Sequence, residues 1–311
     1  MNDGVTISTM QLFSLFPNAE VARLYLEARR WNGTPACPSC GSTDRISARG
    51  GKRKGYYRCG SCNDGEFTVR TGTIFERSHV PLHKWVYAMY LLVTARKGVS
   101  SLQLSKEIGV TQKTAWFMLG RLREALGSGD GGSLGGTVEA DETYIGGKES
   151  AKHVSKRLNV GGGTGGKAAV FGMRERGGEV RAKPVDAPNQ RTVANEIHRA
   201  VEVGSTVYTD SASAYNPVGG LFYDHASVNH GAGEYVRGEV HTNSIESVWA
   251  LLKRAVHGTW HHVSPKHLAR YVDECAFRLN EANVAVHTMD RLDAFMARAF
   301  RARITWEEIT A

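Results

Sequence analysis

The sequence predicts an α+β protein of more than one domain: a metal-held module and a helical pair first, then an α/β domain on a mixed five-stranded sheet. Three observations lead there. Two Cys-x-x-Cys pairs, Cys37/Cys40 and Cys59/Cys62, are separated by eighteen residues. A glycine- and serine-rich run, Gly127 to Gly136, has the composition of a flexible linker. Beyond it, short β-branched runs alternate with helical periodicities, and three acids punctuate them: Asp141, Asp210 and Glu246.

A chain of 311 residues has material for about two domains. Its net charge of +8 favours a polyanionic partner. No apolar run is long enough to span a bilayer, and the N-terminus carries neither a basic nor an apolar leader region. A cytoplasmic, nucleoid-associated protein is the expectation.

Residues 12–31 read as a helix started by Pro17 or Asn18. The cysteines come next. Thiolates two residues apart on a tight turn reach one ion, and two such knuckles complete a tetrahedral shell for one structural Zn²⁺. Tyr56–Arg58 and Phe67–Arg70 flank the second knuckle as strands, which makes a zinc ribbon. Arg53 and Lys54 belong to a basic run beside it that suits phosphate contact. The fifth cysteine, Cys275, falls in an apolar helix and reads as core.

Residues 81–96 form a strongly apolar helix. After a Gly-Val-Ser break, residues 101–108, Gly109 and a longer helix over 112–126 capped by Thr111 have helix-turn-helix composition. Gln112, Lys113 and Thr114 open the second helix and are its natural base readers, and Arg121 adds charge.

Past the linker, strands are expected at 137–145, 167–174 and 179–185, then a helix at 192–203. Strands at 205–211 and 221–228 follow, and then a helix at 241–254. Three antiparallel strands, a helix, two strands and a helix is the ribonuclease-H order. Asp141 and Asp210 sit late in two of the strands. On the last helix Asn243, Glu246, Trp249, Ala250 and Lys253 share a face. Glu142 points to the opposite strand face from Asp141 and is not expected to be a ligand. The glycine run 161–166 lacks the Gly-Lys-Ser/Thr closure of a phosphate loop and reads as a mobile loop. Lys148, Lys152, Lys156 and Arg157 beside it could hold DNA. Residues 263–309 read as helical.

Thirty-five residues separate Asp210 from Glu246. Together with the Cys-x-x-Cys knuckles, the run Val138–Gly147, the Tyr208-Thr-Asp210 and Tyr215 pattern, and His241, Asn243, Ile245, Glu246, Trp249, Leu252, Lys253 and Arg254, the chain resembles bacterial DDE insertion-sequence transposases of the ISXO type, relatives of Merlin elements. The resemblance covers about residues 20–285. It implies a ribonuclease-H-like catalytic domain that cuts DNA at element ends and joins those ends to a target. Two Mg²⁺ ions, or Mn²⁺ in their place, would be held by Asp141, Asp210 and Glu246. Asn243 is the rival for the third position, since some members carry Asn there. Lys253 and Arg254 would contact terminal DNA. Implied partners are the element's terminal inverted repeats, target DNA and further copies of the chain. The same acids would also serve a nuclease that does not join, and a transposase-derived regulator would bind without chemistry. The expected segmentation is 12–78 for the N-terminal helix and zinc ribbon, 79–126 for the helix-turn-helix, 127–136 for the linker, 137–285 for the catalytic domain and 286–311 for a helical tail.

Overall fold

A computed structural model describes residues 6–62, 65–127, 132–147, 153–157, 163–220, 222–281 and 284–310. The chain divides into two compact units: Met1–Gly127 with Glu281–Ala311, and Ser128–Asn280.

The first unit begins with α1 (Thr9–Leu15) and α2 (Ala19–Trp31), two helices where the sequence suggested one. Pro17 cannot donate in a helix interior, and Asn18 caps α2 by accepting from the Glu20 and Val21 amides. Then come β1 (Ile46–Ala48), β2 (Tyr57–Cys59) and β3 (Glu66–Phe67), a small antiparallel sheet. Trp31, Tyr57 and Phe67 pack their rings beneath it. Helices α3 (Leu82–Thr94), α4 (Ser101–Ile108) and α5 (Gln112–Leu126) follow. The turn between α4 and α5 has the predicted chemistry. Gly109 takes a left-handed φ of 62° to end α4, and the Thr111 hydroxyl accepts from the Thr114 amide to start α5.

The second unit carries β4 (Thr137–Ile145), β5 (Ala168–Glu175), β6 (Val180–Val185), α6 (Gln190–Ala200), β7 (Thr206–Asp210), β8 (Asp224–Val228), α7 (Asn243–Ala255) and α8 (Leu268–Asn280). The sheet order is β6-β5-β4-β7-β8; β4 runs antiparallel to β5 and parallel to β7. This is the ribonuclease-H-like sheet expected from the element order. One face is covered by α6 through Val138, Ala140, Phe171, Val193, Ile197 and Val207. The other is covered by α7 and α8 through Ile145, Val170, Ile245, Trp249, Leu252 and Val272. Cys275 belongs to that second core, as predicted. The linker is only partly a linker. Leu134 is buried, and it exchanges backbone hydrogen bonds with Ala200 and Glu202.

The chain then returns to the first unit. Helix α9 (Thr288–Arg301) is no detached tail: Leu292, Phe295 and Met296 are fully buried there. Arg291 donates to the Val93 carbonyl at 2.7 Å, and Arg29 pairs with Asp293 at 2.8 Å. A short α10 (Trp306–Thr310) lies on α5, with Trp306 edge-on to Trp116 and Phe117. Among the described residues, no helix is long and apolar enough to cross a membrane.

Candidate active site

The alternation of β4 sorts its acids between the two faces of the sheet. Val138 and Ala140 point into the α6 core, so Glu139 and Asp141 point toward α7. Parallel pairing sets Glu139 opposite Tyr208 at the end of the ladder; Asp141 and Asp210, each two residues further along, share the α7 side by alternation, and the Asp210 charge acts on Asp141. The Asp141 carboxylate accepts from the Trp249 indole N–H at 2.8 Å. Directly across the ladder is Gly172, where an added Cβ would lie 2.4 Å from the Trp249 ring. Only a glycine lets the indole lie this close to β5 and reach Asp141.

Asp210 accepts from the Ala212 amide at 2.9 Å. Glu246 lies in the first turn of α7, half-exposed, accepting from the Thr242 hydroxyl at 2.9 Å, with His230 Nε2 at 3.7 Å. Asn243 is exposed at the start of the same helix, and Lys253 and Arg254 are exposed near its end. Trp249 departs from the expected polar stripe: it is buried and serves Asp141. Glu142 turns to the α6 face, as anticipated, and accepts from the buried Tyr215 hydroxyl.

Burial pushes the Asp141 carboxyl up to about 7, with the charges of Glu142 and Asp210 adding to it. Burial also raises Glu142, against the Tyr215 hydrogen bond. Mutual repulsion of this kind is what a bound cation relieves. Hard carboxylate oxygens suit Mg²⁺ or Mn²⁺, so the donor set fits those ions. Among the described residues the three acids do not gather within the 4.8 Å that the four thiols do.

Those thiols form the second site. Cys37, Cys40, Cys59 and Cys62 form no disulfide, and their sulfurs lie within 4.8 Å of one another. Cys37–Cys62 and Cys40–Cys59 sulfurs are 3.6 and 3.8 Å apart. Four sulfurs at zinc bonding distance stand about 3.8 Å from each other. The cluster is a structural zinc site by spacing and by chemistry. The Ser61 N–H, donating to Cys59 at 3.3 Å, helps bring that thiol down to about 6.

The expected DNA-contacting cations fare unequally. Gln112 and Lys113 are exposed and Thr114 is half-buried, but the Lys113 ammonium lies over the Trp306 ring at 4.8 Å. Arg53 pairs with Glu66, and Lys54 pairs with Glu20 at 2.8 Å; both remain largely exposed. Arg121 is a correction. It is buried, stacks on Phe117 and donates to the Ile74 and Glu76 carbonyls at 2.7 Å, so it ties the unit together instead of facing DNA. Lys148 and Lys152 lie outside the described residues, as does the side chain of Lys156; Arg157 is exposed.

The sequence reading passed over Glu139. It is fully buried, and its Oε2 accepts from the Ser244 and Ile245 amides at 2.7 and 3.1 Å. Its Oε1 takes the Arg176 Nε at 2.8 Å. The available signal was parity: Glu139 shares its strand face with Asp141.

Residues 133–280 match the model of the ISXO2-like transposase domain, and residues 17–65 match that of the transposase zinc-ribbon domain. An uncharacterized protein in transposable element ISH50 of Halobacterium salinarum is 34% identical over 235 residues, covering 72% of this chain and 79% of that protein. Two solved structures are more distant. The simian T-cell lymphotropic virus intasome in complex with PP2A regulatory subunit B56 gamma is 12% identical, with a TM-score of 0.30 over 63% of this chain and 69% of that one. The Mos1 strand transfer complex is 13% identical, with a TM-score of 0.21 over 64% and 77%. Neither score supports a positional comparison of sites.

Proposed function

Because this chain belongs to the ISXO2-like transposases, we propose that it binds the ends of its DNA element, cuts there, and joins the freed 3′ ends to target DNA. The observation that supports this reading is that Asp141 and Asp210, on neighbouring parallel strands, lie on the sheet face covered by α7, the helix that bears Glu246, with Asp141 bonded to its Trp249. Asp141, Asp210 and Glu246 would hold the two Mg²⁺ ions, with Asp141 shared and Asp210 and Glu246 each binding one of them. When bound, the ions activate the attacking oxygen and stabilise the leaving oxygen of an in-line displacement.

The protein's own groups orient the ligands. Trp249 fixes one Asp141 oxygen, the Ala212 amide fixes Asp210, and the Thr242 hydroxyl fixes Glu246. Glu246 is preferred to Asn243 because an anionic oxygen binds a second dication more strongly than a carboxamide does. Gln112, Lys113 and Thr114, with Arg53 and Lys54 on the ribbon, supply contacts to the element end, while Lys253 and Arg254 hold the terminal phosphates. Two ends must be brought together, so the active form is an oligomer on DNA.

The test incubates the full-length protein with labelled element-end DNA and a target plasmid, with Mg²⁺ and without it. Mg²⁺-dependent joined products are expected. Cutting without joining would reassign the chain as a nuclease, and binding without chemistry would make it a regulator.

A further inference from the structure

Helix α7 lacks a cap of its own. Thr242 stands at its N-cap position but makes no side-chain bond to the helix backbone; its hydroxyl goes to Glu246 instead. The first amides of a helix need acceptors, and burial makes an unmet one costly. Here the acceptor comes from the sheet. One oxygen of Glu139 takes the Ser244 and Ile245 amides, and the other takes Arg176. His241 Nδ1 lies 3.3 Å from that second oxygen. Arg176 in turn lies over the Tyr208 ring at 4.9 Å and donates to the Glu239 and His241 carbonyls. Arg174 grips the same turn through the Ser244 carbonyl at 3.1 Å and the Ser247 hydroxyl at 3.0 Å.

We infer that Glu139 is the positioning residue of the third acid: a buried carboxylate on β4 that caps α7 and thereby fixes Glu246 relative to Asp141. The inference rests on the proposed metal site, and it names the part that sets its spacing. Glu139 stands two residues before Asp141 on the same strand face, and its two amide partners directly precede Glu246. Strand ligand and helix ligand are therefore joined through three side-chain bonds, counting Arg176, and not through the long chain between them. A carboxylate suits the role because each of its oxygens accepts at once, and because it adds a negative charge at the positive end of the helix.

The experiment uses the full-length protein and its Glu139→Gln and Glu139→Ala variants. Mn²⁺ affinity is measured by calorimetry well below the melting temperature. Amide hydrogen exchange is followed across residues 243–250, and end-DNA affinity is measured alongside. Loss of an outer partner of a metal ligand typically weakens metal binding about 10–100-fold. Glu139→Ala is expected in that range, with Glu139→Gln between it and wild type because the carboxamide keeps one acceptor for the helix amides. Faster exchange confined to the first turn of α7, with DNA affinity unchanged, completes the expected result. Equal Mn²⁺ affinity in all three proteins, or unchanged exchange over 243–250, overturns the inference. So does an affinity loss that merely tracks the fraction unfolded. Should Glu139→Ala fail to fold, the near-isosteric Gln variant gives the same readouts. Absence of strand cleavage in wild type counts against the proposed function alone, since the exchange measurement decides the role of Glu139 without catalysis.

Discussion

Replacing Asp141 by Asn should make the metal-free protein more stable while ending its chemistry. The Asp141 carboxyl rises from 3.8 to about 7 in the folded chain, chiefly through burial. An acid with a raised folded value holds its proton more tightly when folded than when unfolded. Stability is therefore greatest below the unfolded value and declines as pH rises toward about 7. At pH 8 the shift of roughly 3 units, at 1.36 kcal/mol each, sets a ceiling of about 4 kcal/mol. Partial exposure of the side chain and its interaction with Trp249 bring the expected gain nearer to about 2 kcal/mol, or roughly 4–8 °C of melting temperature for a unit of this size. Asn keeps an oxygen for the indole N–H and removes only the charge. At pH 5.5 about half of the pKa gap has opened, so the gain should fall to about half. The assay is a thermal melt of wild type and Asp141→Asn at both pH values, in buffer without added divalent cation. A variant no more stable than wild type at pH 8, or one with the same gain at both pH values, would refute the reasoning.

Other outcomes follow from the same geometry. Asp210→Asn and Glu246→Gln should each abolish cutting and joining in a gel assay while end binding in a mobility-shift assay is retained. An active Glu246→Gln beside an inactive Asn243→Asp would transfer the third ligand to Asn243. Gly172→Ala places a methyl 2.4 Å from the Trp249 ring, which must move off Asp141. A loss of about 1–3 kcal/mol in denaturant unfolding is expected, with a slower cutting rate. Cys59→Ser should lower bound zinc from one ion per chain to none by atomic absorption and weaken end-DNA binding. Unchanged affinity after complete zinc loss would remove the ribbon from DNA recognition.

Much of this was legible in the sequence because local signals agreed with the fold. The cysteine spacing, the Thr111 cap and Asp210 at the end of β7 each have a short-range physical cause, and most elements lie within a few residues of their expected places, although Asp141, expected late in its strand, stands in the middle of β4. What escaped depends on contacts between distant residues. Trp249 looked like one more member of a helix stripe, and only its approach to Gly172 and Asp141 reveals its task. Glu139 caps a helix that starts more than a hundred residues later, which no local capping pattern records. Arg121 has the composition of a DNA-facing cation, yet the carbonyls of Ile74 and Glu76 claim it. Pro17 and Asn18 did mark a helix start, but the apolar residues ahead of them belonged to a separate helix.

The first unit is assembled from both ends of the chain, with the whole acid-bearing unit between them. Folding on the ribosome must therefore run out of order. The acid-bearing segment can complete its core as soon as Asn280 emerges, while α3 and α5 wait for Leu292, Phe295 and Met296 to cover them. A polypeptide released after Asn280 would carry Asp141, Asp210 and Glu246 in a finished unit beside an unfinished one. A stop codon just after residue 280 would therefore leave the second unit's core whole and α3 and α5 without the buried Leu292, Phe295 and Met296 that complete theirs.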